Sequence, residues 1–226
     1  MSEMCKVCFK DFNYSGIQLF NKKICVCFNC FNELSPVFNH FKTNGVKGIF
    51  LYEYNEGMKT LIYNFKGCFD YELKDVFLSR YLYELKIRYK GYILVPLPST
   101  KKDDEERGFN HVVEMFSCLN LPIIQCLYKK VDYKQSELNR EQRLEVFKKI
   151  GINNGEELKG KKVLIIDDIM TTGSSVKAAI NLIKSYKPKI LKVLVLSRKL
   201  AWITKNKVFE SFLEFNFNWR RVYYNV

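Results

Sequence analysis

Two adjacent carboxylates followed by a hydroxyl-rich turn are the part of this sequence best equipped for chemistry. Asp167 and Asp168 come directly after the aliphatic run Val163-Leu164-Ile165-Ile166. The turn that follows contains Thr171, Thr172, Gly173, Ser174 and Ser175. Carboxylates can accept hydrogen bonds from sugar hydroxyls, while the amides and hydroxyls of such a turn, at a helix N-terminus, can surround a phosphate. The stretch therefore predicts a ribose 5-phosphate site, since an ordinary helix cap after a strand does not call for two consecutive acids.

The elements that must position these residues are indicated by three aliphatic runs. Residues 92–97, 162–167 and 190–196 are nearly continuous in apolar side chains, a pattern typical of strands buried on both faces of a parallel sheet. A helix-like pattern opens at Thr172 and ends before Pro188, which gives a βαβ unit. Ligands of open α/β sheets bind at the carboxyl ends of the strands, where the acids stand.

A second anion-binding segment follows the strand over 92–97. Ser99, Thr100 and Lys101 offer hydroxyls, amides and an ammonium group for a pyrophosphate, and Arg107 could add a bidentate contact. Four acids, Asp103 to Glu106, lie between them. We expect these acids to be solvated on a mobile loop, or to help hold Mg²⁺ together with substrate phosphates.

The first forty residues hold five of the eight cysteines. Cys5 and Cys8 form one C-x2-C pair, Cys27 and Cys30 form another, and this spacing is typical of a structural zinc site with four thiolates. Cys25 is an alternative ligand to Cys27. A closed shell of four sulfur ligands would stabilise the folded minidomain and would have no catalytic role.

Composition excludes several classes of protein. The chain has 226 residues, a mass of 26.8 kDa and 47% hydrophobic residues, enough for one well-buried domain and a small appendage. An apolar run long enough for a membrane span is absent from the sequence, and the N-terminus does not resemble a secretion signal, so a cytoplasmic protein is expected. We predict a zinc minidomain over 1–40, an α/β domain over 46–200 and an extension over 201–226.

The C-terminal region is basic and aromatic. The net charge is +13, and from Lys177 onward eleven basic residues face two acidic ones, although codon bias could supply much of the lysine. Cations and rings together are typical of single-stranded nucleic-acid binding; core packing or a membrane contact are the alternatives for the rings. The predicted nucleic-acid residues are Lys199, Lys205, Lys207, Trp219, Arg220 and Arg221.

The thirteen residues from Val163 to Ser175 resemble the signature of type I phosphoribosyltransferases. That resemblance implies that Asp167 and Asp168 hold the ribose hydroxyls of phosphoribosyl pyrophosphate, used with Mg²⁺, and that residues 171–175 bind its 5-phosphate. The segments 95–99, 107–110 and 135–138, with Arg143 and Phe147, are similar to the ComF family of competence proteins in DNA uptake. His111 and Val146 depart from that family, which usually has Gln and Asn there.

Two functions follow from these observations. The resemblance implies a competence protein that binds single-stranded DNA and phosphoribosyl pyrophosphate, working with a DNA-translocating helicase at the cytoplasmic face of the inner membrane. The pocket residues alone favour a genuine phosphoribosyltransferase. A hood that recognises an acceptor base would discriminate between the two, and residues 135–147 do not specify one.

Overall fold

The computed structural model describes residues 2–13, 23–130 and 150–199. The strands of its central sheet are β3 (Pro36–Thr43), β4 (Val46–Glu53), β5 (Tyr92–Pro96), β8 (Lys162–Met170) and β9 (Ile190–Arg198). Their order is β3-β4-β9-β8-β5. β4, β9, β8 and β5 run parallel, and β3 pairs antiparallel with β4 at one edge. The predicted α/β fold with a parallel sheet is confirmed, with one antiparallel edge strand added.

Helices cover both faces of this sheet. They are α1 (Phe28–Glu33), α2 (Glu56–Lys66), α3 (Leu82–Arg88), α4 (Lys101–Arg107), α5 (His111–Ser117) and α6 (Ser174–Lys184), with 3₁₀ helices over Tyr71–Asp75 and Gly155–Leu158. Two antiparallel pairs complete the described fold: β1 (Ser2–Met4) with β2 (Asp11–Asn13), and β6 (Leu127–Lys129) with β7 (Ile150–Ile152). Within the described ranges, no helix combines the length and apolar character needed to cross a bilayer.

The alternation of side chains along β8 divides the core between the two faces of the sheet. Leu164 and Ile166 belong to a cluster that contains residues of α2, α3 and α5, among them Phe65. Val163 and Ile165 belong to a second cluster with the apolar face of α6. Burial on both faces explains why the strand is aliphatic at every position from Val163 to Ile166.

The strand that carries the acids is longer than the sequence predicts. β8 continues to Met170, because its parallel register with β9 continues through Asp167↔Val195 and Ile169↔Ser197. Both aspartates therefore lie on a hydrogen-bonded strand, which fixes their backbone more firmly than a loop would.

The predicted mobile loop over residues 103–106 was wrong, because these residues lie in α4. The Thr100 side chain accepts a hydrogen bond from the amide of Asp103 at 3.2 Å and so caps the helix. Asp103 and Asp104 occupy the first turn, where the helix dipole favours acids. The helix ends at Gly108, whose φ of 80° is readily adopted only by glycine.

The cysteine-rich segment packs directly on the α/β core. Cys5, Val26, Cys30 and Leu34 are buried in the same cluster as α2 and α5. Arg80 donates to the carbonyl of Val26 at 2.9 Å, and Lys6 forms ion pairs with Glu72 and Asp75. β3 begins at Pro36 and so crosses residue 40, while the division into three domains stays a prediction.

Candidate functional site

The acidic pair lies at the carboxyl edge of the sheet, and its two members have different surroundings. Asp168 is 7% exposed; its Oδ2 accepts from Lys66 Nζ at 2.8 Å and from His111 Nε2 at 3.2 Å. Asp167 is half-buried, and its Oδ1 accepts from the amide of Asp168 at 3.0 Å. Asp168 is therefore held by α2 and α5, while Asp167 is the carboxyl more accessible to a ligand.

The two carboxyl groups differ in ionisation for the same reason. Burial by itself would raise the pKa of Asp168, but the hydrogen bond from His111 and the charge of Lys66 hold that pKa well below its ordinary value. Burial and the neighbouring Asp168 carboxylate raise the pKa of Asp167 well above its ordinary value. The two pKa values are thus driven in opposite directions, as is typical of two acids that share a site.

Arg107 and His111 link Asp168 to the segment after β5. The Arg107 Nη1 group donates to Nδ1 of His111 at 3.2 Å and to Oδ1 of Asp104 at 3.2 Å. A guanidinium only donates, so Nδ1 of His111 is the acceptor and Nε2 carries the hydrogen that binds Asp168. His111 thus acts as a bridge between Arg107 and Asp168 in a continuous polar chain.

Asp104 connects this chain to the predicted pyrophosphate segment. Ser99 Oγ donates to Asp104 Oδ2 at 2.5 Å, and Asn110 Nδ2 donates to both Ser99 Oγ and Asp104 Oδ2. β5 and β8 are adjacent, and the amide of Leu97 bonds to the carbonyl of Ile166 at 2.9 Å. The loop that starts at Pro98 therefore begins beside the acidic pair.

The structure gives Arg107 a role that the sequence did not predict. Its side chain is 8% exposed, and Nε donates to the carbonyl of Lys66 at 3.1 Å in addition to the contacts above. Its guanidinium is engaged by protein groups, while Lys101 is exposed at the start of α4. Contact of Arg107 with a pyrophosphate stays a prediction.

The turn between β8 and α6 is open to solvent. Thr171, Thr172 and Ser175 are exposed, and Gly173 has a φ of 71° immediately before the helix. Among the described residues, no carbonyl accepts from the amides of Thr171, Thr172 or Gly173, and the Ser174 amide makes only a 3.4 Å contact with Thr172 Oγ1. These donors, with the helix N-terminus, are available to an anion.

Lys66 is the functional candidate that the sequence reasoning missed. It ends α2, and its ammonium group lies against Asp168 although 102 residues separate them. It also lines an open depression of about 300 Å³ with Tyr54, Ile62 and Tyr63. A lysine at a helix C-terminus is common, so only the tertiary contact distinguishes this one.

The four predicted zinc ligands converge. The Sγ atoms of Cys5, Cys8, Cys27 and Cys30 all lie within 4.8 Å of one another, and Cys8 and Cys27 are 3.9 Å apart. Zinc–sulfur bonds of about 2.3 Å in a tetrahedron place the sulfurs roughly 3.8 Å apart, so the donor set fits the ion. Cys25 is not part of this group within the described residues.

The surroundings of these thiols also favour a cation. Burial by itself would raise the pKa of the Cys5 thiol, but amide hydrogen bonds, including one from Cys27 at 3.3 Å, lower it to about 7. Burial and the neighbouring thiols raise the pKa of Cys30 well above its ordinary value. Four thiolates this close together repel one another unless a cation lies between them.

Several predicted residues lie outside the described ranges. They are Lys205, Lys207, Trp219, Arg220, Arg221 and the segment 135–147. Lys199 is described: it is exposed, and its amide donates to the carbonyl of Met170 at 3.1 Å. It therefore lies at the carboxyl edge, next to the turn.

Comparison with known proteins shows the class of this domain. Residues 106–219, half of the chain, match the model of the phosphoribosyl transferase domain family. Hypoxanthine phosphoribosyltransferase from Staphylococcus aureus aligns at 20% identity with a TM-score of 0.38, covering 57% of this chain and 65% of that one. A hypoxanthine-guanine phosphoribosyltransferase from Bacillus anthracis aligns at 16% identity with a TM-score of 0.39, covering 58% and 72%.

Two curated relatives narrow the family. Competence protein ComFC of Streptococcus pneumoniae is 32% identical over 154 residues, 68% of this chain and 69% of that protein. Competence protein ComFC of Bacillus subtilis is 32% identical over 131 residues, 57% of this chain and 54% of that protein. The chain belongs to the ComF/ComFC family and contains its phosphoribosyltransferase domain.

Proposed function

We propose that this protein acts in natural transformation by binding phosphoribosyl pyrophosphate and single-stranded DNA. The proposal for the first ligand depends on one observation: the half-buried Asp167 stands between the turn with unbonded amides and the loop after β5, all at the carboxyl edge. These groups are complementary to a sugar diol flanked by two anionic groups.

Each part of the ligand has assigned partners in this proposal. The carboxyls of Asp167 and Asp168 accept from the ribose hydroxyls, residues 171–175 bind the 5-phosphate, and Ser99, Thr100 and Lys101 bind the pyrophosphate. Lys66 must release Asp168 Oδ2, or share it with the ribose, when the ligand binds. Arg107 and His111 keep the two loops in register through Asp104 and Asp168.

Mg²⁺ would enter with the ligand's phosphates. Within the described ranges, the four cysteines are the only group of three or more side chains arranged to hold a metal, and Mg²⁺ prefers oxygen ligands and retains several waters. When bound, the ion would neutralise charge on the pyrophosphate. We assign zinc, in a structural role, to the cysteine cluster.

The ligand proposal is tested by isothermal titration of the protein with phosphoribosyl pyrophosphate and Mg²⁺. Replacing both Asp167 and Asp168 by Asn should abolish the binding heat, because both carboxyl groups that accept from the ribose hydroxyls are removed. A matched control replaces Glu156 and Glu157, two adjacent exposed acids, by Gln and should bind as the wild type does. A second variant, Thr172→Val with Ser174→Ala, alters the turn without touching Lys66 or His111. If both site variants, checked for folding by circular dichroism, bind normally, the site is misplaced.

The proposal for DNA is supported by the family membership and by the charge of the chain. Binding should weaken steeply with salt, because ammonium and guanidinium groups displace counterions from phosphates. Replacing Lys205, Lys207, Arg220 and Arg221 by Gln tests the contribution of the C-terminal residues. Salt-independent binding in a fluorescence anisotropy titration would contradict an electrostatic contact. The resemblance supports action in the cytoplasm, beside a DNA-translocating helicase at the inner membrane.

A genuine phosphoribosyltransferase is the second candidate, favoured by the acidic pair and the hydroxyl-rich turn at the carboxyl edge. Such an enzyme would break the bond between C1 of the ribose and pyrophosphate, join C1 to an acceptor and release pyrophosphate. Release of pyrophosphate in the presence of a candidate acceptor base, and its loss in the Asp167→Asn, Asp168→Asn variant, would establish the reaction.

A further inference from the structure

The amino ends of the parallel strands carry an unusual concentration of lysine. Four lysines project from four adjacent strands at this end: Lys42 on β3, Lys47 on β4, Lys192 on β9 and Lys162 on β8. Lys161 and Lys189 lie in the loops that precede β8 and β9. We call these six residues the amino-end lysine face.

The strand register places the four strand lysines on the same side of the sheet. Lys42 and Lys47 are direct cross-strand partners. Gly48 pairs with Val193, so the residues before them, Lys47 and Lys192, lie next to each other on adjacent strands. Lys192 and Lys162 both approach the ring of Tyr92, at 5.5 and 5.9 Å from its centroid. With strands about 4.8 Å apart, the row spans roughly 15 Å.

The loops that carry Lys161 and Lys189 lie at the same end of the sheet, directly before β8 and β9. The amide of Lys189 donates to the carbonyl of Lys161 at 2.8 Å, which holds the loops side by side. Both of these lysines are exposed, as are Lys42 and Lys47. Six lysines from three separate stretches of the sequence, 42–47, 161–162 and 189–192, thus lie at the amino end of the sheet.

These charges lack compensation by acids in the described part of the chain. None of the six forms an ion pair there, whereas Glu84 nearby is already paired with Arg88. Like charges directly opposite each other on paired strands, as at Lys42 and Lys47, destabilise a sheet. Clustered lysines repel one another and so oppose folding, but the same cluster would attract an anionic partner. The cluster therefore indicates that such a partner binds here.

The chemistry of the face favours a phosphate backbone over other polyanionic surfaces. The large exposed apolar side chains of the described residues include Phe9, Phe28, Tyr63 and Tyr83, and none is in the strands or loops that carry these lysines. Insertion into a membrane interface needs exposed apolar side chains, and base stacking needs exposed rings. Tyr89 and Tyr92 are buried beneath the lysines and are unavailable for stacking.

We propose that the amino-end lysine face binds the sugar-phosphate backbone of nucleic acid, independently of base sequence. This inference rests on the proposed DNA-handling function and assigns it a surface opposite the carboxyl edge. The face uses described residues and does not require the C-terminal segment.

The test compares two triple variants that lose the same charge. The face variant carries Lys42→Gln, Lys47→Gln and Lys189→Gln; the control carries Lys59→Gln, Lys129→Gln and Lys130→Gln, which are exposed and lie on other elements. Anisotropy titrations use mixed-sequence, oligo-dT and oligo-dA 30-mers, each at 50 and 200 mM salt. Three phosphate contacts account for about a twentyfold fall in affinity between 50 and 200 mM salt. The ratio of the affinities at these two salt concentrations should therefore be about twentyfold smaller for the face variant than for the wild type.

The expected result is a selective loss in the face variant with no difference among the three oligonucleotides. Equal losses in the two variants, or none in either, would overturn the assignment while leaving DNA binding by the protein intact. Wild-type protein that fails to bind any oligonucleotide would refute the proposed function as well. Sedimentation with phosphatidylserine vesicles tests for binding to a membrane. If the face variant lost association with the vesicles but bound DNA as the wild type does, the inference would also be overturned.

Discussion

At the scale of single residues, the acidic pair shows how neighbours assign different roles to identical side chains. Lys66 and His111 donate to Asp168 and lower its pKa, whereas the pKa of the half-buried Asp167 is raised by burial and by the neighbouring carboxylate. The sequence alone identifies the pair, because the two acids are adjacent. The difference between their pKa values depends on contacts from α2 and α5.

This split predicts a pH dependence that distinguishes the two aspartates. The pKa of Asp167 is raised above its ordinary value of 3.8 in the folded state. Between these two pKa values the folded state binds more protons than the unfolded state, so the free energy of unfolding falls as pH rises from about 4 toward the raised pKa. The slope reaches about 1.4 kcal/mol per pH unit. In Asp167→Asn this slope should disappear, as measured by urea unfolding across the pH range.

Asp168→Asn serves as the opposite control. The lowered pKa of Asp168 means that its stabilisation is complete above the unfolded pKa of about 3.8 and is lost as pH falls through the folded pKa. This variant should therefore be destabilised at neutral pH. If the free energy of unfolding varied with pH in the same way for the wild type and Asp167→Asn, the pKa of Asp167 would not be raised in the folded state.

A second residue-scale prediction concerns His111. Glutamine can both donate to Asp168 and accept from Arg107, so His111→Gln should retain stability and ligand binding. His111→Leu leaves both partners without their hydrogen bond and should lose about 1–3 kcal/mol of unfolding free energy. Chemical denaturation measures the stability of each variant, and titration with phosphoribosyl pyrophosphate measures its affinity. Equal behaviour of the Gln and Leu variants would contradict a bridging role.

At the scale of elements, two units position the chemical groups: the β8–turn–α6 segment and the cysteine knuckle formed by residues 5–8 and 25–30. In the first, a strand paired through Met170 and a helix anchored by Val176, Ile180 and Ile183 fix both ends of an exposed turn. In the second, a turn over residues 5–8 and the start of α1 bring the four cysteines together, and residues of the knuckle extend the main core.

The knuckle predicts a difference between neighbouring cysteines. Cys30→Ser should lose bound zinc, because one of four converging thiolates is removed, and should unfold at lower temperature because the knuckle packs on the core. Cys25→Ser should retain one equivalent of metal per chain. Elemental analysis of the purified variants and thermal unfolding with and without a chelator provide the measurements. Metal loss in Cys25→Ser alone would reverse the ligand assignment.

At the scale of the whole molecule, opposite ends of one sheet carry opposite arrangements of charge. The carboxyl edge holds the acidic pair and open amide groups, while the amino end holds the amino-end lysine face. Since β4, β9, β8 and β5 are parallel, the β-sheet separates the two surfaces by the length of its strands.

This separation predicts that the two ligands bind without competition. Saturating phosphoribosyl pyrophosphate and Mg²⁺ should leave the apparent Kd for a single-stranded 30-mer within about twofold once ionic strength is matched, since no described residue is shared by the two sites. Inorganic pyrophosphate with Mg²⁺ is the control for general anion competition. Displacement of DNA by phosphoribosyl pyrophosphate alone would place both ligands at the carboxyl edge.

Much of the fold and part of the candidate site could be predicted from local pattern. Aliphatic runs gave β5, β8 and β9, and their parallel arrangement followed from burial on both faces. α4 was missed because its run of charged residues has no apolar period, and its cap, supplied by Thr100, was not recognised. Lys66 was missed because nothing in its sequence neighbourhood distinguishes a lysine that pairs across the fold from one that is solvated.

The sequence alone determined the elements whose signals are local: the buried strands, the acid pair with its turn, and the spacing of the cysteines. Tertiary structure decided which groups meet, namely Lys66 and His111 at Asp168, Arg107 between His111 and Asp104, and lysines from four strands on one face. The physical reason is range: hydrophobic period and turn chemistry act within a few residues, whereas ion pairs and like-charge clusters depend on chain segments that only folding brings together.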